Sequence, residues 1–405
     1  MRQLLAAAAM ASVSTCVQAT GIWQLEEAPG GGGRHSPAEV ERHGLRFAGG
    51  ILAGLPATLD LDLPGRELAA RVDDVRAHPH GVTWRGHVQG DSWQQVVLTV
   101  HKGRLAGLLS LATETWEIVP VGEGRSLLLR IEQDRYAECA GSVPVSGGGG
   151  ALPTVQPLGL EAPFRDRPGD IDVLVVYTPL VLAIYGQEQV EATILAAVAN
   201  ANAAFANSQI RVRFNLVGMM PGAFGQDHSL SAALMWLRTD PDVAAWRNEL
   251  MADMVSVFVE GAEDGCGLGY LLEYPDDPAF HAWAFQATDY ACAVGNLTYA
   301  HEHGHTMGMN HNPEAAGGGT VIAPDAFGHW YAGGTTLQEN FRTVMSYACP
   351  DNVCLRRMFF SNPDLDWMGV PTGIQGERNN ARIGKTTADL VANFRIKTIF
   401  RHGFD

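Results

Sequence analysis

Residues 301–311 hold the densest chemistry in the chain, reading H-E-H-G-H-T-M-G-M-N-H. On a helix His301 and His305 stand one turn apart, so both imidazoles leave the same face. Each then offers a neutral ring nitrogen to one Zn²⁺ at about 2.0–2.1 Å. Glu302 points off that face yet reaches water at such an ion, where a carboxylate acts as general base. Gly308 lets the backbone leave the helix through a conformation that other residues resist. That turn is expected to bring His311 to the same ion. Three neutral imidazoles leave a fourth position for water, the arrangement of a catalytic rather than a structural zinc site. His303 falls about 200° round the helix from His301, so it is read as packing or support, not as a ligand. Gly304 inside the helix costs about 1 kcal/mol relative to Ala, which ligation at both flanking histidines offsets.

The string resembles the zinc-binding sequence of the metzincins, a clan of zinc metalloendopeptidases. Their second hallmark is a methionine turn, which residues 343–347 (T-V-M-S-Y) match at the spacing such enzymes use. The resemblance implies that Met345 is a soft apolar floor beneath the metal, not a ligand. Tyr347 stands where astacin-like and serralysin-like members carry a tyrosine. There it either binds the metal at rest or stabilises the oxyanion. With residues 172–179 (D-V-L-V-V-Y-T-P) and 360–363 (F-S-N-P), the chain over 170–395 is similar to bacterial reprolysin-like enzymes, including the peptidyl-Asp metallopeptidases. One departure is Asn312, where reprolysin-like members carry aspartate. The peptidyl-Asp relation implies an acidic substrate residue at P1′ and a basic pocket to receive it. Arg342, Arg356 and Arg357, near the methionine turn, are the candidates to line that pocket.

The chain opens with Met1 and Arg2, an apolar run over 4–17 and V-Q-A at 17–19. That is the order of a signal peptide, 1–19, and the run is too short for a membrane span. Export, to the periplasm or beyond the cell, is the expectation. It removes Cys16 and leaves Cys139, Cys266, Cys292, Cys349 and Cys354, an odd number. An oxidising compartment permits two disulfides among the last four. Chain proximity favours Cys266–Cys292 and Cys349–Cys354 out of three possible connectivities. Cys139 has two readings. As a thiolate placed at the open position it displaces water and holds a zymogen inactive, as in several metzincin families. As an inert buried thiol it does nothing.

At 405 residues the chain suggests two domains. Its net charge of −16 argues against nucleic acid as a partner. Residues 20–45 read as a loose, Gly- and charge-rich stretch. Apolar alternation at 82–88, 93–100, 105–111, 114–121 and 126–131, with tight turns at 101–103 and 122–124, predicts an antiparallel β-domain. It lacks a metal or nucleophile cluster, so residues 20–140 are read as a propeptide and intramolecular inhibitor; a sugar- or protein-binding β-module is the other reading. Residues 141–169 are a Gly/Pro-rich linker and the expected processing site.

From 170 to 405 the pattern predicts strands at 171–178, 210–217 and 254–259, and helices at 187–208, 230–237, 242–251 and 386–395. An edge strand at 281–286 is expected to pair with extended substrate. Asn296 or Thr298 is expected to cap the zinc helix, and 265–269 reads as a structural turn. The expected fold class is an α/β (α+β) metzincin catalytic domain with a mixed, mostly parallel twisted sheet and an active-site helix, preceded by the antiparallel β-rich propeptide domain. The function implied is a secreted zinc endopeptidase acting on polypeptides. The alternative is a secreted zinc-binding adhesion or interaction protein with a vestigial peptidase site. Degenerate sites lose the base or a ligand, and here Glu302 and all three histidines are present.

Overall fold

Period-two alternation organises the first half of the chain into ten strands. They are β1 (Thr20–Gly21), β2 (Trp23–Glu26), β3 (Glu39–Phe47), β4 (Thr58–Leu63), β5 (Arg66–His78), β6 (Gly81–Val88), β7 (Asp91–His101), β8 (Arg104–Ser110), β9 (Thr115–Gly122) and β10 (Arg125–Ile131). The computed structural model describes residues 20–28, 35–48, 50, 52, 54, 56–145, 169–225, 228–317, 320–350 and 353–395. The strands form one sheet in the order β1-β4-β5-β6-β7-β8-β9-β10-β3-β2, antiparallel except for β1 on β4. In β4 the leucines 59, 61 and 63 share one face and enter a core with Trp84, Leu98, Leu109 and Leu128. The β7–β8 turn places Lys102 and Gly103 at φ +44° and +73°, the left-handed pair that tight hairpins require.

Residues 20–26 and 39–47 are strands, not the loose stretch their composition suggests. Their charges are cross-strand pairs on the outer face: Arg46 with Glu26, and Arg130 with Glu41 at 2.7 Å.

The second sheet contains β11 (Ser142–Pro144), β12 (Asp170–Tyr177), β13 (Arg213–Pro221), β14 (Met254–Val259), β15 (Gly267–Leu271) and β16 (Phe285–Asp289). Its order is β11-β15-β16-β14-β12-β13. The last four in that order are parallel neighbours, β15 is antiparallel to β16, and β11 is parallel to β15. Two expectations fail here. Residues 267–269 of the 265–269 stretch are not a turn but the start of β15, and 281–286 is not the edge strand. Pro278–Trp283 is a 3₁₀ helix, and β16 lies inside the sheet. Glycines weaken a strand signal because they contribute no packing side chain. Residues 142–144, assigned by composition to the linker, are the outermost strand. The expected signal peptide and most of the linker lie outside the described residues.

Helices α1 (Pro179–Tyr185), α2 (Gln187–Asn207), α3 (Leu230–Thr239), α4 (Pro241–Glu249), α5 (Thr298–Thr306) and α6 (Asn380–Val391) complete the fold. Every residue of α2 from Val190 to Ala201 is buried. It lies between the two sheets, since Val97, Ala106 and Leu108 of β7 and β8 join the same core as Val173 and Val175 of β12. Buried all round, this stretch has no solvent face to offer. Burial on both sides likewise explains why β7 and β8 read as near-continuous apolar runs. Disulfides join Cys266 to Cys292 and Cys349 to Cys354. Among the described residues no helix is long and apolar enough to cross a membrane.

Candidate metal centre

Helix α5 carries His301, Glu302 and His305, all fully buried. Neither Asn296 nor Thr298 caps it. Leu297 sits at the N-cap with φ +56° and no side-chain cap, while Asn296 Nδ2 donates to Thr298 Oγ1 at 3.1 Å. A left-handed leucine is strained backbone, of the kind tertiary packing holds in place near functional sites. Gly308, at φ +86°, turns the chain out of the helix, and His311 returns to the same place.

His311 Nε2 lies 3.1 Å from His301 Nε2 and 3.0 Å from His305 Nε2. Two nitrogens each about 2.0–2.1 Å from one ion at a tetrahedral angle lie about 3.3 Å apart. The opposite nitrogens are fixed: His301 Nδ1 donates to Val344 O at 2.8 Å, and His305 Nδ1 to Met309 O at 2.9 Å. A neutral ring that donates from Nδ1 has only a lone pair at Nε2. Burial, then the neighbouring histidines, holds His301 well below its usual pKa; burial holds His305 down at about 4 and is the main cause at His311. Lone pairs thus converge with no proton between them, which suits a cation.

Both Glu302 carboxylate oxygens are buried without a hydrogen-bond partner. Burial drives this carboxyl well above the ordinary range, opposed by the neighbouring Cys139 and Arg356. The glycines of β15 make room for it. A Cβ on Gly267 would stand 2.4 Å from Glu302 Oε1. The period-two placement of Gly267 and Gly269 on one strand face was the sequence signal for this. Met345 is fully buried and lies against Gly304, whose Cβ would meet its sulfur at 2.4 Å. His303 packs on the far side, its ring centre 4.5 Å from Tyr299 and 5.0 Å from Phe214. Asn312 Oδ1 accepts from Tyr347 N at 3.0 Å and Ser346 Oγ at 3.2 Å, tying the methionine turn to the third histidine.

Residues 138–144 cross this cluster. Cys139 Sγ lies 3.9 Å from His305 Nε2, and with the three histidines it forms a group whose ligand atoms all fall within 4.8 Å of one another. Burial, then Glu302, pushes the thiol well up. The Tyr347 hydroxyl donates to Cys139 O at 2.8 Å, and β11 occupies the edge of β15. Arg342 and Arg356 reach the same region, both donating to Ser346 O. Arg357 does not: its guanidinium binds Leu111 O and Ala112 O of the β8–β9 connection and stacks on Trp367. Adjacent residues on an extended segment point to opposite sides, so Arg357 cannot share the pocket of Arg356.

Fold and site define a metallopeptidase domain. Residues 167–358 match the reprolysin-like model of metallo-peptidase family M12. It is 25% identical over 378 residues to the peptidyl-Asp metalloendopeptidase of Xanthomonas campestris pv. campestris, covering 89% of this chain and 87% of that protein. Identity is also 25% over 365 residues to the peptidyl-Asp metalloendopeptidase of Stenotrophomonas maltophilia, covering 83% of each. Among solved structures, metalloproteinase-II of Bacteroides fragilis superposes with a TM-score of 0.40 at 11% identity, over 65% of this chain and 85% of that one.

Proposed function

We propose that this chain is an exported zinc endopeptidase, made as a zymogen, that cleaves polypeptides next to acidic residues. The observation that carries the reading is the convergence of three Nε2 atoms beside the unpartnered Glu302 carboxylate. His301, His305 and His311 are the ligands. A zinc ion held there supplies Lewis-acid polarisation of the scissile carbonyl and brings the pKa of a water toward neutrality. Glu302 takes the proton of the attacking water and returns it to the leaving amine. Tyr347, whose hydroxyl donates to a backbone carbonyl in the latent chain, gives the same hydrogen bond to the substrate carbonyl as charge builds on it. Met345 is the apolar floor. The edge of β15 takes extended substrate once residues 142–144 have left it.

The N-terminal β-domain, residues 20–140, acts as the propeptide, with Cys139 completing the metal site in the latent form. The approach of its thiol to His305 and the seating of β11 on β15 support this. The peptidyl-Asp activity of the relatives and the arginines beside the site support the preference for acidic residues. The test is cleavage of denatured casein or insulin chain by the processed protein, with and without a zinc chelator, and mapping of the cut sites. Chelator-sensitive cuts next to Asp or Glu are expected; zinc-loaded protein that leaves both substrates intact would remove the reading. Unprocessed Cys139→Ser protein is expected to be more active than the unprocessed wild type. Equal latency would take Cys139 out of the inhibitory role.

A further inference from the structure

The segment that blocks the histidine cluster also places carboxylates on two buried guanidinium groups. Side chains of Arg342 and Arg356 are 2% and 3% exposed. Arg356 Nη1 donates to Asn296 O at 2.8 Å, and both side chains reach Ser346 O, at 3.3 and 3.1 Å. The Nε atoms of both are buried without a partner. Backbone carbonyls orient these groups but do not balance two charges. The counter-charge comes from the crossing segment. Glu138 Oε1 lies 3.6 Å from Arg342 Nη1 and its Oε2 lies 3.6 Å from Arg356 Nη2, while Asp134 Oδ1 lies 3.5 Å from Arg342 Nη2. Glu138 is positioned by accepting from Ala348 N at 2.8 Å.

Glu138 is also the residue before Cys139, whose sulfur approaches His305 and whose carbonyl takes the Tyr347 hydrogen bond. The acidic side chain in the arginine pocket is therefore one residue from the reacting centre. That is the spacing an enzyme needs to cut a bond flanked by an acidic residue.

We propose that Arg342 and Arg356 form the pocket that reads the acidic side chain beside the scissile bond, and that Glu138 fills it in the latent chain as an internal copy of that side chain. The proposal rests on the peptidase reading above and adds the residues that set its specificity and the device that covers them. When the segment leaves, two buried cations lose their carboxylate. An Asp or Glu of the substrate restores it, whereas a neutral isostere leaves them unpaired, and it is this penalty that selects. Arg357, bound to the β8–β9 connection, takes no part.

The test uses processed enzyme and paired peptides that differ only by Asp or Asn at P1′. Wild type is expected to favour Asp by about tenfold or more in kcat/KM, the size of a charge-assisted hydrogen bond. Arg342→Gln and Arg356→Gln are expected to bring the ratio toward one while still cutting the Asn peptide, a cut that also reports their folding. Variants that cut the Asn peptide and keep the wild-type ratio would overturn the pocket. Should those variants fail to fold, the unprocessed chain decides. Glu138→Gln is expected to be several-fold less latent than wild type, and Glu138→Asp close to wild type; Glu138→Gln as latent as wild type would overturn the mimicry. Wild-type enzyme that cuts both peptides equally would instead overturn the acidic preference itself, and an enzyme that cuts neither would overturn the peptidase reading.

Discussion

The thioether of Met345 fills the space where a side chain at position 304 would stand. Helix propensity alone makes Gly304→Ala stabilising by about 1 kcal/mol, while forcing a methyl into a packed contact costs about 1–3 kcal/mol. Contact should win. Gly304→Ala is expected to lower the urea midpoint of the full chain, and an unchanged or raised midpoint would contradict the packing argument. The same residues show what spacing encodes. His301, Glu302, His305, His311 and Met345 were legible because a helix period, a turn glycine and a fixed interval specify where each side chain goes. Even His303 was readable as packing, from its angle round the helix. Asn312 and Arg357 were not, because the partners that define them lie 34 and 246 positions away in the chain. The identity of such partners is set by the tertiary fold.

Strand β15 is the element that joins fold to chemistry, with Glu302 lying on its glycines and β11 along its edge. Strand propensity favours Ala over Gly at position 267, but a Cβ there would strike the Glu302 carboxylate. Gly267→Ala is therefore expected to fold, to retain zinc and to lose about tenfold or more in kcat by displacing the base. Wild-type turnover would contradict the placement of Glu302 against this strand. Most elements of the second half were legible, since β12 and β14 are continuous β-branched apolar runs and α3 carries its apolar residues at helical spacing. The misses share one cause. β15 is rich in glycine, β2 and β3 are rich in charge, and β11 sits in a linker composition, so each lacks the apolar signal by which strands are read. Pairing with neighbours supplies their stability instead.

At the scale of the molecule, the two halves meet around α2 and along a second seam that buries Glu117 of β9. Its carboxylate lies against the Tyr136 hydroxyl at 3.4 Å and beside Gly295 of the peptidase half. Burial raises this carboxyl to about 8, opposed by hydrogen bonds from Tyr136 and Gly295. Its unfolded value is 4.5, so between these limits the folded chain binds the extra proton. Stability from this group is then full at low pH and is lost as pH rises from 4.5 to 8, by about 1.4 kcal/mol per unit at most. Thermal denaturation of the full chain should show Glu117→Gln gaining on wild type as pH rises through that window. A difference independent of pH would contradict the buried protonated state. A strand-rich first half before a helix-bearing second half was legible from composition and alternation. Their docking was not, because residues such as Glu117 and Gly295, or Val97 and Val173, come together only after both halves have folded.

The central claim is that a buried carboxylate beside three converging histidines works as the base of a zinc peptidase. Zinc content and casein cleavage of the processed Glu302→Ala variant, measured beside wild type, test it most directly. The account predicts one zinc per chain in both proteins, chelator-sensitive cleavage by wild type, and a loss of at least about a hundredfold in the variant. A zinc-loaded, processed Glu302→Ala protein that cleaves casein at the wild-type rate would contradict it.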